Sequence, residues 1–127
     1  MGPTAAGARR QMSLDWDRVT AFAAGLPGAE RSTHYGGPAV KANGNAFVAP
    51  GREEGSFCLM IDRDTVDMLK ATDPDTYWQT PHYEGWPAVL VRYGTADPDR
   101  VLAMIERAHG QALAKKRPRP RPAKKKA

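Results

Sequence analysis

The chain has 127 residues, which is room for one compact core and too little for two independently packed domains. With 41% hydrophobic and 26% charged residues, it has the composition of a globular domain, excluding a fibrous repeat or a wholly disordered chain. The net charge of +5 is unevenly laid out: residues 115–127 carry eight bases and no acid, while residues 1–114 carry 11 bases against 14 acids, a net −3.

Residues 1–12 are small, polar and interrupted by Gly and Pro, so they read as a disordered leader with nothing to bury. A domain is expected over residues 13–114. Ser13 or Asp15 can cap a helix in which Trp16, Val19, Phe22, Ala23 and Leu26 recur at steps of three and four, until Leu26-Pro27-Gly28 stops it. Ala29–Tyr35 is compatible with a strand, and Gly36-Gly37-Pro38 is expected to break it. Ala39–Ala42 and Asn45–Ala49 flank Asn43-Gly44, a strong hairpin signal because both turn residues tolerate positive φ. A polar turn over residues 50–55 leads into Ser56–Ile61, an apolar run of strand length that predicts a central strand.

Asp62 or Asp64 can cap a short helix carrying Val66, Met68 and Leu69, which ends before Asp73-Pro74. Tyr77–Trp86 is aromatic and reads as irregular; Ala88–Tyr93 reads as another strand. Asp97-Pro98-Asp99 combines a capping carboxylate, a proline suited to the first helical position and a second acid against the positive dipole end. That helix, with Val101, Ile105, Ala108 and Ala112 on one face, is expected to reach about Leu113. Residues 115–127 then alternate Arg with Pro and end in a lysine triplet, predicting a disordered basic arm. The sum is an α+β, two-layer domain: a mostly antiparallel sheet with helices on one face.

Several linked motifs carry a resemblance. Trp16 through Leu26-Pro27-Gly28, then Glu30, the run Tyr35-Gly36-Gly37-Pro38-Ala39-Val40-Lys41, and the hairpin Asn43-Gly44-Asn45-Ala46-Phe47 are followed in order by Thr80-Pro81-His82-Tyr83, Gly85-Trp86 and Val89-Leu90-Val91-Arg92. Over residues 14–114 the chain resembles the MmcQ/YjbR-like proteins. The resemblance implies a small α+β fold comparable to secretion chaperones and to the CyaY shape, and it implies DNA binding. Val40 stands where the family commonly has an aromatic, and Asn45 where it commonly has a lysine. The loss of that lysine removes a phosphate contact the family's hairpin would offer.

The basic arm is the clearest chemical signal. If Lys115, Lys116, Arg117, Arg119, Arg121, Lys124, Lys125 and Lys126 all met phosphates, log K would fall with log salt at a slope of about −7, and half of that is the more realistic figure. Sequence-independent binding of nucleic acid, DNA ahead of RNA, is the expected function. A solubilising terminus is its plain alternative. An anionic membrane surface is disfavoured because the Pro alternation gives no amphipathic face.

A second candidate surface gathers His34, Tyr35, Lys41, His82, Tyr83, Trp86 and Arg92. Should the two His-Tyr loops meet, they would make a pocket for a small molecule or a protein partner, with Tyr83 and Trp86 able to stack on a base. The competing and preferred reading has these side chains covering a sheet edge. Lys41 and Arg92 lie inside strands and either share a cationic face or pair with acids, with neither reading preferred. Asp62, Asp64 and Asp67 invite a metal or acid/base reading, but helix capping explains the first two without further assumption, so catalysis is disfavoured.

No metal site is expected, because His34, His82 and His109 lack the close spacing of zinc ligands. Cys58 is the sole cysteine, which excludes an internal disulfide, favours a reducing compartment and reads as a small buried hydrophobe. No phosphate loop, dinucleotide fingerprint or nucleophile elbow occurs, so no cofactor and no enzymatic activity are expected. Without a signal peptide or an apolar run of spanning length, the expectation is a cytoplasmic monomer.

Overall fold

The computed structural model describes residues 14–34, 36–51 and 53–116. Helix α1 (Trp16–Ala24) starts where the Asp15 carboxylate accepts from the Arg18 amide at 2.8 Å, and it buries Val19, Thr20 and Ala23. Three strands then form a meander: β1 (Ala29–His34), β2 (Gly37–Ala42) and β3 (Asn45–Pro50). Asn43 at φ 52° and Gly44 at φ 78° make the β2–β3 turn, the two successive left-handed residues that let a two-residue loop match strand twist. Strand β4 (Ser56–Met60) follows, then helix α2 (Arg63–Thr72), the short strand β5 (Tyr77–Trp78), strand β6 (Ala88–Arg92) and helix α3 (Pro98–Ala114).

The six strands lie in the order β1-β2-β3-β4-β6-β5, every neighbouring pair antiparallel. All three helices pack on one face. Their buried residues, among them Val19, Val66, Leu69, Val101 and Ile105, join Val40, Val48, Leu59 and Val89 of the sheet in one core cluster. A smaller cluster on the other face centres on Cys58, Ala88 and Leu90 and is covered by Met60, Trp78 and Tyr83. The α+β two-layer architecture is therefore the one the periodicities predict, with β4 inside the sheet.

Three expectations need correction. Gly36-Gly37-Pro38 does not separate the strands as a block: Gly37 and Pro38 already pair with His34 and Thr33. Proline fits there because pairing of β2 with β3 begins only at Val40, so its missing amide takes nothing from that side of the ladder. Tyr77 and Trp78 are not irregular but pair with Val91 and Leu90, a strand dictated by its partner. Thirdly, the segment expected to be a disordered arm from residue 115 onward has its first residue tied down: helix α3 ends at Ala114, and the carbonyl of Lys115 beyond it accepts from Asn43.

The pairing of β2 with β3 shifts register between Val40 and Lys41, so that Val40 faces Val48 while Lys41 faces Ala46. Phe47 is the extra residue. Such a bulge re-aims a side chain, and Phe47 and Val48 are both fully buried in the helix-side core although they are adjacent in sequence.

Candidate functional site

The registers define two ends of the sheet. One holds the Asn43–Gly44 turn, the end of β4, the start of α2, the start of β6 and the end of α3; the other holds the β1–β2 turn, Arg92 and the start of α3. The sequence-derived candidates fall on both.

His34 ends β1, at one edge of the sheet, whereas His82 and Tyr83 follow β5, at the other edge and the other end. Five inter-strand steps of about 4.8 Å separate the edges, roughly 24 Å. The two His-Tyr loops therefore do not meet, and the shared pocket is not formed. β6 inserts between β4 and β5, which sequence order alone does not disclose. Tyr35 lies outside the described residues, as do Arg117, Arg119, Arg121, Lys124, Lys125, Lys126 and the leader 1–12.

Lys41 and Arg92 do share the face away from the helices, since Val40, Val48, Leu59 and Val89 align on the opposite one. They are three strands and four residue steps apart, about 20 Å, so they make no common cationic spot. Arg92 is otherwise engaged: its guanidinium lies 4.6 Å from the Trp78 ring centroid, and its Nε donates to the Asp75 carbonyl at 2.8 Å. Lys41 acts on a nearer neighbour. Partial burial, and then the Lys41 ammonium, hold the His34 pKa below its ordinary 6.5.

At the turn end of the sheet lies a cleft of about 400 Å³, within the range of small-molecule sites. Its apolar wall comprises Ala46, Met60, Ile61, Pro87, Ala108 and Ala112; its polar rim is Asp62, Arg63, Asp64, Gln111 and Lys115. Asp62 caps α2, accepting from the Thr65 amide at 3.0 Å and the Thr65 hydroxyl at 2.6 Å. Gln111 of α3 clasps the same residue, donating to its carboxylate at 2.5 Å and accepting from its amide at 3.0 Å. Burial works to raise the Asp62 pKa, but the bonds from Thr65 and Gln111 and the Arg107 guanidinium outweigh it, so the carboxyl sits below the usual 3.8. Capping, the plain reading of Asp62, thus holds; Asp64 is the acid in the first turn of that helix, and Asp67 is exposed.

Two asparagines fasten the corner beside the cleft. Asn43 Nδ2 donates to the Lys115 carbonyl at 2.7 Å, and Asn45 Nδ2 donates to the Ala112 carbonyl at 3.1 Å and the Asn43 carbonyl at 3.2 Å. Of the last carbonyls of α3, which have no helical partner, that of Ala112 is satisfied by the hairpin, and that of Leu113 has a longer contact with Asn43 at 3.4 Å. Asn45 is thus a structural tie. The root of the basic arm is thereby fixed, with the side chains of Lys115 and Lys116 exposed.

The loop between β5 and β6 reaches the cleft only through Pro87. Gln79, which sequence reasoning passed over, pins it: Nε2 donates to the carbonyls of Tyr83 (2.9 Å), Trp86 (3.2 Å) and Ala88 (2.8 Å), while Oε1 accepts from Lys70 Nζ at 2.8 Å. Tyr83 turns inward against the Cys58 cluster and bonds to that thiol; burial nevertheless pushes the Cys58 pKa up to about 11, so it is no nucleophile at neutral pH. His82 stacks edge-on with Tyr83 and is exposed. Trp86 is 62% exposed, next to Pro87 of the cleft wall.

His109 is buried in α3, its Nε2 2.6 Å from the Pro27 carbonyl and its ring against Phe47. The three histidines thus occupy three separate places, and among the described residues no group of three or more His, Cys, Asp or Glu side chains is arranged to hold a metal. No described helix is long and apolar enough to cross a membrane.

Comparison with known proteins agrees with the motif order. Two relatives, described as uncharacterized proteins of Mycobacterium bovis and Mycobacterium tuberculosis, are each 33% identical over 92 residues, covering 61% of this chain and 71% of the relative. The YjbR family profile matches residues 24–111, from the end of α1 to the last turns of α3. With the meander, the hairpin and most of the long final helix inside that match, the chain belongs to the YjbR family.

Proposed function

We propose that this chain is a non-enzymatic, cytoplasmic nucleic-acid-binding domain, DNA being its foremost partner, whose C-terminal arm supplies sequence-independent attraction. One observation carries the reading: the arm's first two cations sit at a fixed corner, tied through Lys115 and Ala112 to the Asn43–Asn45 hairpin, while six more follow in residues 117–127. A charge-dense strip of this kind releases counterions when it meets phosphates. The body ahead of it is net negative, so the attraction resides in the arm and the body sets where the arm begins. A pocket shared by the two His-Tyr loops is no longer an alternative, because those loops lie at opposite edges of the sheet.

The test is truncation after Lys116, which keeps the hairpin ties and removes six cations. Full-length and truncated protein are titrated with a DNA duplex at several salt concentrations. If half of the six cations contact phosphate, the slope of log K against log salt loses about 3. Equal slopes and equal affinities for the two forms would refute the reading.

A further inference from the structure

The cleft of about 400 Å³ at the turn end of the sheet owes its depth to small residues. Ala108 and Ala112 stand one turn apart on α3, and Ala46 lies just past the β2–β3 turn, so three alanines leave room that larger side chains would fill. Its walls are tied before any ligand arrives: Gln111 clasps Asp62, and Asn45 holds the Ala112 carbonyl. Such pre-organisation lowers the ordering cost of binding. The rim above the apolar recess alternates in sign, with Asp62, Arg63 and Asp64 at the start of α2 and Lys115 just past the end of α3. Among the described residues, ion pairing is confined to Arg107 with Asp62 at 3.9 Å, so Arg63, Asp64 and Lys115 keep their charges for a ligand.

We infer that this cleft binds a free α-amino acid with an apolar side chain: the side chain enters the recess, the ammonium faces Asp62 and Asp64, and the carboxylate faces Arg63 and Lys115. No nucleic acid takes part in this binding, so it stands or falls apart from the function proposed above. Charge complementarity selects the ligand class. An amine without a carboxylate meets two cations, and a carboxylate without an amine meets two carboxylates; each leaves half of the rim facing a like charge. A zwitterion finds a partner for both ends. The apolar wall then selects among zwitterions, because burying a polar side chain there without a hydrogen bond costs free energy, whereas burying a leucine or phenylalanine side chain is favourable.

The experiment titrates the full, isotope-labelled chain with L-phenylalanine and follows its amide resonances. Three comparison compounds each lack one feature: phenethylamine the carboxylate, hydrocinnamate the ammonium and L-serine the apolar side chain. L-phenylalanine should give saturable shifts concentrated at residues 61–64 and 108–112. Each comparison compound should bind at least about 5-fold more weakly, the factor that one exposed ion pair supplies. Asp64→Asn and Lys115→Gln, both at exposed positions, should each weaken L-phenylalanine about 5-fold with circular dichroism unchanged. Ala108→Leu should abolish the saturable shifts by filling the recess; the two rim variants carry the test if that protein fails to fold. No saturable shift from L-phenylalanine up to about 10 mM, a comparison compound binding as tightly, or unchanged affinity in both rim variants would each overturn the site.

Discussion

Replacing Asn45 by alanine measures how firmly the hairpin holds the end of α3. The variant loses the bonds from Nδ2 to the carbonyls of Ala112 at 3.1 Å and Asn43 at 3.2 Å; a third contact, to Lys116 at 3.4 Å, is too long to count for much. Each good bond contributes about 0.5–1.5 kcal/mol net. Water reaches the freed carbonyls at this half-buried corner, so the lower part of that range applies and the loss should be about 1–2 kcal/mol. For a domain of this size that is a fall in Tm of roughly 4–10 °C. Asn43 separates hydrogen bonding from backbone strain. At φ 52° it is left-handed; Asn43→Gly loses the 2.7 Å bond to Lys115 but keeps the conformation, whereas Asn43→Ala adds a left-handed penalty of about 1 kcal/mol. Urea unfolding followed by circular dichroism should rank the parent first, Asn43→Gly next and Asn43→Ala last. Asn45→Ala unfolding together with the parent, or the two Asn43 variants unfolding together, would refute the claim that this corner is held as described.

Gly51→Ala should destabilise the protein by about 1–3 kcal/mol, read by the same unfolding curves, because an added Cβ would lie 2.9 Å from the Ser56 carbonyl carbon and oxygen across the β3–β4 turn. His34 should titrate by NMR below 6.5, and Lys41→Ala should move its midpoint upward by removing the neighbouring cation; no movement would place Lys41 elsewhere. The depressed Asp62 carboxyl stabilises the fold above its unfolded value near 3.8 and loses that contribution as pH falls through its folded pKa, so Asp62→Asn should flatten the acid limb of stability against pH. Asp97→Ala removes the cap accepting from the Arg100 amide at 3.1 Å and should cost about 1 kcal/mol in the same urea assay.

Much of the fold is legible because its signals are local. Asp15, Asp62 and Asp97 cap the three helices at positions where a short acid precedes an apolar period. Asn43-Gly44 makes its hairpin, and the apolar run at Phe57–Leu59 lies inside the sheet. What could not be read depends on partners distant in sequence. A two-residue strand at Tyr77–Trp78 exists only because β6 offers it an edge. Alternation puts Lys41 and Arg92 on one face, yet their separation follows from strand order, which no periodicity encodes. The same order carries His34 and His82 to opposite edges. Gln79 and Gln111 went unremarked because a glutamine's use depends on which carbonyls and carboxylates the fold brings to it. Of the candidate surface, Trp86 remains exposed, while Tyr83 and Arg92 serve the sheet as the plain reading had it.

The arm has two sets of acids to choose between, those of its own body and those of a polyphosphate. The body's 14 carboxylates are mixed with 11 bases, and a solvent-exposed pair gains about 0–1 kcal/mol, further screened beyond about 8 Å at physiological salt. Several are already committed: Asp15, Asp62 and Asp97 each cap a helix. A duplex presents a charge every 1.7 Å or so with condensed counterions to release, so each contact gains entropy that a body carboxylate cannot supply. Asn43 and Asn45 fix the root of the arm through the carbonyls of Lys115 and Ala112. High salt should therefore abolish binding before it alters the fold, since the hairpin ties are hydrogen bonds between an amide and carbonyls and carry no net charge.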